Sequence, residues 1–213
     1  MKFIGFYNYT VILTYISLIS GVLGMKFASE GKIGVAIGCL AFSGFCDLFD
    51  GAVARTKKDR TDDEKSFGIQ LDSLCDVICF GAFPAVIMYF SGVNSAIGVA
   101  ILVFYVLCAL IRLAFFNVLE TKRQTAESGC VKFYRGLPVT TSAIIFPFFY
   151  IVGLFLPDNV IGIIYYVLSL LTASLFIIDF RVPKLDVSRL FKKAKADCEQ
   201  IEEEETEKIE VNL

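Results

Sequence analysis

The chain is 213 residues long and 56% hydrophobic, with 21 Phe, no Trp and a formal net charge of −2; its mean hydropathy is +0.67. That apolar content exceeds what an ordinary soluble domain uses and points to a membrane protein. With no His anywhere, imidazole catalysis and His-ligated zinc are excluded, so acid/base or metal chemistry has to come from carboxylates, Lys, Tyr or Cys.

Residues 1–10 make a short aromatic segment suited to the membrane interface, and the first spanning run follows at 11–28. Its front end has no strongly basic region and no small-residue cleavage site, so a retained helix is expected rather than a removable signal. Further runs cover 33–54, 67–90, 96–119, 137–156 and 160–180. Each is near the roughly 20 residues that cross a bilayer core at about 1.5 Å per residue. The expected fold is all-α: a bundle of about six transmembrane helices over residues 1–183, with a charged cytoplasmic tail at 184–213.

Loop charge orients the bundle. Basic residues cluster after the second, fourth and sixth runs: Arg55, Lys57, Lys58, Arg60 and Lys65; Lys122, Arg123, Lys132 and Arg135; then Arg181, Lys184, Arg189, Lys192, Lys193 and Lys195. The other side has only Lys26 and Lys32. The positive-inside tendency then places both termini in the cytoplasm. The tail, with its acidic block Glu202 to Glu205, reads as a solvated appendage. Of the seven Cys, five lie within apolar runs and read as small apolar helix residues. Net charge near zero says little about partners, and no nucleic acid is expected among them.

Four aspartates stand at the inner edges of the second and third runs: Asp47, Asp50, Asp72 and Asp76. Ionisable groups there are costly unless they have a function. Spacings of three and four place each pair on one helix face, about 60° and 40° of arc apart. Two such faces can converge, and carboxylates gathered near a membrane surface repel one another unless hard cations join them. An all-oxygen donor set suits Mg²⁺ or Mn²⁺, with Ca²⁺ as a further candidate, rather than zinc or copper. The competing reading makes each aspartate a helix cap or a partner of Arg55 or Lys65, but capping explains neither the number of acids nor their spacing. A cation transporter is the rival from another class. It would place such groups nearer mid-bilayer, whereas both pairs lie close to one surface.

Small residues fit the same picture. Gly51, Ala52 and Ala54 leave the helix surface bare beside the carboxylates, as does Gly68 before the second pair, permitting either close helix contact or backbone approach to a phosphate ligand. Arg55 can counter phosphate charge through its planar donors, or snorkel to the cytoplasmic interface.

The pattern Asp47-x2-Asp50-Gly51-x2-Ala54-Arg55, then Gly68-x3-Asp72-x3-Asp76, resembles the signature of the CDP-alcohol phosphotransferases, integral membrane enzymes of phospholipid synthesis. Twelve residues separate Arg55 from Gly68, more than is usual in the family. This longer charged link resembles the phosphatidylserine synthase branch, as do the stretches Arg112-Leu113-Ala114-Phe115-Phe116-Asn117 and Phe133-Tyr134-Arg135-Gly136-Leu137-Pro138-Val139. The resemblance covers residues 8–183 and is most specific over 47–76.

What it implies is transfer of a phosphatidyl or archaetidyl group from CDP-diacylglycerol or CDP-archaeol to L-serine, with CMP released, in a homodimer. The same chemistry with glycerol phosphate or inositol phosphate as acceptor is the alternative. Asp47, Asp50 and Asp72 would hold two divalent cations, with Asp76 at the second ion and acting as base toward the alcohol. Gly51 and Arg55 match positions that contact the nucleotide or its phosphates; Lys65, Ser66 and Thr14 are further candidates there. Serine needs a cation for its carboxylate. Arg112, alone among basic residues in lying well inside an apolar run, is the candidate, with Asn117, Gln70, Lys65 and Arg135 as companions. In the competing reading Arg112 bonds to a neighbouring helix carbonyl or counters Asp72 or Asp76.

Overall fold

The computed structural model describes residues 5–54, 57, 59, 61–125, 133–179 and 181–183, with backbone alone at 54, 120–125, 133–135, 158, 159 and 181–183. Arg55 and the tail from residue 184 lie outside the described residues.

A 3-10 turn at Tyr9–Val11, capped by Asn8 Oδ1 accepting from the Thr10 amide at 3.1 Å, leads into α1 (Ile12–Ser29). Helix α1 closes on Gly31 at φ +75. There Lys32 N donates to Phe27 O at 2.9 Å and Gly31 N to Ala28 O at 3.0 Å, the paired bonds of a glycine-terminated helix end. Lys26 and Lys32 both pair with Glu30, at 2.7 and 2.9 Å, and these bonds, Lys26 foremost, hold the Glu30 carboxyl down at about 2. The two basic residues of this side are therefore partly neutralised.

Helix α2 (Ile33–Ala54) returns antiparallel to α1. The two are fastened by buried hydroxyls: Ser17 and Ser43 meet at 2.6 Å, and Ser20 donates to the Cys39 carbonyl at 3.0 Å. Such contacts join helices where lipid offers no hydrophobic drive. Close approach also needs missing side chains. A Cβ on Gly24 would lie 2.1 Å from the Phe83 ring, and one on Gly44 would lie 2.4 Å from Ala143 Cβ.

Helix α3 (Asp62–Asp76) begins earlier than the expected 67 because Thr61 and Glu64 form a reciprocal capping box. Three acids in the first turn also suit the positive end of the helix dipole. From Asp76 the rod continues through a π-turn at Val77–Ala82 into α4 (Phe83–Phe90). Helix α5 (Ala96–Thr125) runs past the expected 119, since Glu120 to Thr125 contains no glycine or proline to stop it.

The fifth expected span, 137–156, is shorter in the fold. Pro138 is extended, a 3-10 turn occupies Val139–Thr141, and α6 (Ser142–Gly153) carries Pro147 in its interior. Helix α7 (Asp158–Ile177) completes the bundle. Among the described residues, five segments are long and apolar enough to cross a membrane: Tyr9–Ser29, Ile33–Val53, Asp62–Phe90, Ala96–Leu119 and Val160–Ile177, with Val139–Gly153 a shorter apolar helix beside them.

One departure from helix was not expected. Strands β1 (Phe133–Arg135) and β2 (Arg181–Pro183) pair antiparallel, with Tyr134 opposite Val182, and so clip the entry to α6 to the exit of α7. Three residues are too few to carry an alternating pattern that a sequence reading can detect.

The core is built from Leu40, Phe80, Phe83, Ile87, Met88, Tyr105, Phe146 and Phe176, all buried, while Phe45, Val103, Ile144 and Phe155 point outward. Helices that are apolar inside and out belong in lipid, and the fold is that of an integral membrane helical bundle.

Candidate active site

Helix α2 and the rod that begins with α3 pass each other in opposite directions, so the later aspartate of one pair meets the earlier aspartate of the other. Asp47 and Asp50 lie in the last turns of α2, and Asp72 and Asp76 in the last turns of α3. One carboxylate oxygen from each of Asp47, Asp50 and Asp72 falls within 4.8 Å of the other two. Asp76 is the buried member and its carboxyl contacts that of Asp47, while the carboxyl of Asp50 contacts that of Asp72. The four aspartates picked out by spacing therefore come together, two from each helix.

Helix α1 closes the third side. Thr14 Oγ1 donates to Asp50 Oδ2 at 3.5 Å, and the Thr14 carbonyl accepts from Cys75 Sγ at 3.3 Å. Ser17, one turn on, is spent on Ser43. Cys75 and Cys79 touch at 3.7 Å, and Cys39, Cys46 and Cys108 are free thiols, all but Cys39 fully buried.

None of the ion pairs among the described residues involves these four aspartates. Their charge is thus uncompensated by basic side chains of the described chain. Oxygens bound to one ion stand at most about twice the metal–oxygen distance apart, roughly 4.2 Å for Mg²⁺ and about 5 Å for Ca²⁺. A trio of oxygens within 4.8 Å fits a hard divalent cation with little adjustment.

Gly51 decides between its two readings. It is exposed, and a Cβ there would meet nothing within 4 Å among the described residues, so no described helix packs on it and the face beside Asp50 is open to that extent.

Lys65, Ser66 and Gln70 are exposed on α3. Lys65 pairs with Asp62 at 3.0 Å, not with the aspartate cluster. The link before α3 is tied down elsewhere: Glu64 accepts from Lys57 at 3.0 Å and from Asn8 at 3.5 Å, and Phe6 stacks edge-on against Phe67.

Arg112 is buried in α5. Its Nε donates to the Leu137 carbonyl at 3.2 Å, and its guanidinium stands 5.9 Å from the centre of the Phe116 ring. The carbonyl bond matches the competing reading of this residue, yet it uses one of five N–H groups. The terminal nitrogens have no hydrogen-bond partner among the described residues. Gly136 makes room beneath, at φ +70, with a Cβ position 3.0 Å from Ile178 O and 3.6 Å from Arg112 Nε. Asn117 accepts from Ser73 Oγ at 2.7 Å, which brings it to the residue after Asp72. The side chain of Arg135 lies outside the described residues.

Sequence reasoning missed Ser73 and the hydroxyls of Tyr105 and Ser142, which donate to the Phe80 carbonyl at 2.8 and 3.3 Å. No periodicity marks them. Pro84 was the available signal, because a proline four residues beyond Phe80 leaves that carbonyl without its helical donor.

A model of the CDP-alcohol phosphatidyltransferase family matches residues 7–177. The chain is similar to the CDP-diacylglycerol–serine O-phosphatidyltransferase of Mycobacterium bovis, 30% identical over 133 residues, which is 62% of this chain and 45% of that protein. It is 32% identical to the archaetidylserine synthase of Methanothermobacter thermautotrophicus over 145 residues, 68% of this chain and 58% of the relative. The Saccharomyces cerevisiae CDP-diacylglycerol–serine O-phosphatidyltransferase is 40% identical over 101 residues, 46% of this chain and 35% of the relative. The chain thus spans about half, or less, of the length of these relatives. No solved structure matches.

Proposed function

Since the chain belongs to the CDP-alcohol phosphatidyltransferase family, we propose that it transfers the phosphatidyl or archaetidyl group of a CDP-linked lipid to L-serine and releases CMP. The observation that carries this reading is the meeting of Asp47, Asp50 and Asp72 within 4.8 Å, with Asp76 against Asp47. Serine as acceptor is supported by the names of the relatives.

Asp47, Asp50 and Asp72 would hold two divalent cations, Mg²⁺ or Mn²⁺, with Asp76 as the candidate further ligand. When bound, these ions neutralise a pyrophosphate and stabilise the leaving nucleotide phosphate. The residues of the chain do the rest. Asp76 takes the proton from the serine hydroxyl as the oxygen attacks the lipid-side phosphorus in line; the bond to CMP breaks, and no covalent enzyme intermediate forms. The open face at Gly51 admits the phosphates to the backbone, with Arg55, Lys65, Ser66 and Thr14 as nucleotide and phosphate contacts. For Lys65 to serve, it must leave Asp62.

The terminal nitrogens of Arg112, which have no hydrogen-bond partner among the described residues and lie within electrostatic reach of the Asp179 carboxylate, take the serine carboxylate, since a guanidinium fork matches a planar anion. Asn117, Gln70 and Arg135 are companions in that site. The lipid chains remain in the bilayer. The protein works as a homodimer with both termini in the cytoplasm, residues 1–183 forming the transferase domain and 184–213 its tail.

The test is CMP release from CDP-diacylglycerol and CDP-archaeol by purified protein, with serine, glycerol phosphate or inositol phosphate as acceptor, before and after chelation. Serine-dependent release that stops on chelation and returns with Mg²⁺ or Mn²⁺ is expected. CMP release that needs neither acceptor nor metal would refute the reading.

A further inference from the structure

The helix bearing Asp72 and Asp76 does not run on as a simple α-helix, and the reason is a proline. An α-helix through this segment would join the carbonyl of Phe80 to the N–H of residue 84. Pro84 has no N–H, and a proline ring crowds the carbonyl four residues back. The chain takes a π-turn at Val77–Ala82, in which the Phe83 amide reaches back to Ile78 O. The Phe80 carbonyl lies in a residue of zero exposure, where an unmet acceptor is costly. It receives Tyr105 OH at 2.8 Å from α5 and Ser142 Oγ at 3.3 Å from α6. Those two hydroxyls also contact each other, and both residues are fully buried.

A π-turn inserts one residue, which rotates everything before it by about 100° relative to everything after it. After the turn, Phe83, Ile87 and Met88 are fixed in the core. Before it, Asp72 and Asp76 face Asp50 and Asp47. The position of the turn therefore sets the angle between the packed half of the helix and its acidic half. We propose that Tyr105 and Ser142 are positioning residues that pin this turn through the Phe80 carbonyl and thereby hold Asp72 and Asp76 toward α2. The inference rests on the proposed role of the aspartates as cation ligands, and it adds α5 and α6 to the machinery that shapes the site.

The experiment is titration of purified full-length protein with Mn²⁺, followed by electron paramagnetic resonance of the bound ion, with helix content checked by circular dichroism. Tyr105→Phe with Ser142→Ala removes both donors without changing the core shape. We expect Mn²⁺ binding about tenfold weaker, as the loss of a buried carbonyl's partners implies. Helix content should be unchanged, and Ser142→Thr, which keeps a hydroxyl, should bind as wild type does. Ser169→Ala is the control: Ser169 is equally buried and among the described residues bonds within its own helix, to Tyr165 O at 2.8 Å, so Mn²⁺ binding should not change. Should the double variant fail to fold, Tyr105→Phe alone is read, with a smaller loss expected. Wild-type affinity in whichever of these variants folds overturns the inference and leaves the proposed function standing. Absence of Mn²⁺ binding by the wild-type protein would overturn the cation reading and this inference together.

Discussion

Ser73 donates its hydroxyl to Asn117 Oδ1 at 2.7 Å, tying α3, one residue past Asp72, to the C-terminal half of α5. This bond gives Asn117 a role as a brace for the acidic helix, distinct from direct contact with serine. If the brace dominates, Ser73→Ala and Asn117→Ala each lower turnover by a similar factor, and the double variant loses little more than either, a coupling of about 1 kcal/mol or more. A rise in the KM for serine confined to Asn117→Ala would instead make Asn117 a substrate contact. Steady-state kinetics of the three variants decides.

The two kinds of aspartate should separate by what they lose. Asp76→Asn removes the proposed proton acceptor and should lower kcat by a factor of about 10² to 10⁴ while leaving CDP-lipid binding largely in place. Asp50→Asn should weaken metal-dependent lipid binding as well. Equal loss of lipid binding in both variants, measured by equilibrium binding with and without Mg²⁺, would undo this division of roles.

Gly51 and Gly24 should respond in opposite ways to an added methyl. At Gly24 the new Cβ meets Phe83 and Cys39 at 2.1 and 2.9 Å, so Gly24→Ala overpacks the core and should cost about 1–3 kcal/mol. At Gly51 the Cβ enters open space, so Gly51→Ala should gain up to about 1 kcal/mol of helix stability. Turnover should nevertheless fall about tenfold or more in Gly51→Ala if phosphates approach the backbone there. Thermal unfolding in detergent beside CMP release tests both; unimpaired turnover in Gly51→Ala would remove the glycine from the site.

Arg112→Gln keeps a donor for the Leu137 carbonyl but discards the cation. The expected result is a KM for serine raised about tenfold or more with CDP-lipid binding unchanged. A fall in unfolding temperature with no change in KM would make Arg112 a structural clasp between α5 and the entry to α6.

The acidic centre was legible in the sequence because helical geometry is local. Spacings of three and four put Asp47 with Asp50 and Asp72 with Asp76 whatever the rest of the chain does. Apolar run length gave the spans for the same reason, and it was least accurate where something other than hydropathy sets the boundary. The Thr61–Glu64 capping box starts α3 among charged residues, and Pro138 and Pro147 interrupt the expected fifth span.

Contacts between distant segments were not legible. Arg112 was singled out because a buried cation is costly, but its bond to Leu137 O depends on where the loop before α6 comes to rest. The openness at Gly51, the Ser73–Asn117 bond and the hydroxyls on the Phe80 carbonyl likewise join residues far apart in the chain. Composition and periodicity determined that this protein spans a membrane and carries two acidic faces, since each follows from neighbours along one helix. Which faces meet, at what angle, and which hydroxyls hold them there were decided only when α1, α5 and α6 packed against α2 and the rod that begins with α3. Those terms are interactions between helices, and a linear pattern does not encode them one residue at a time.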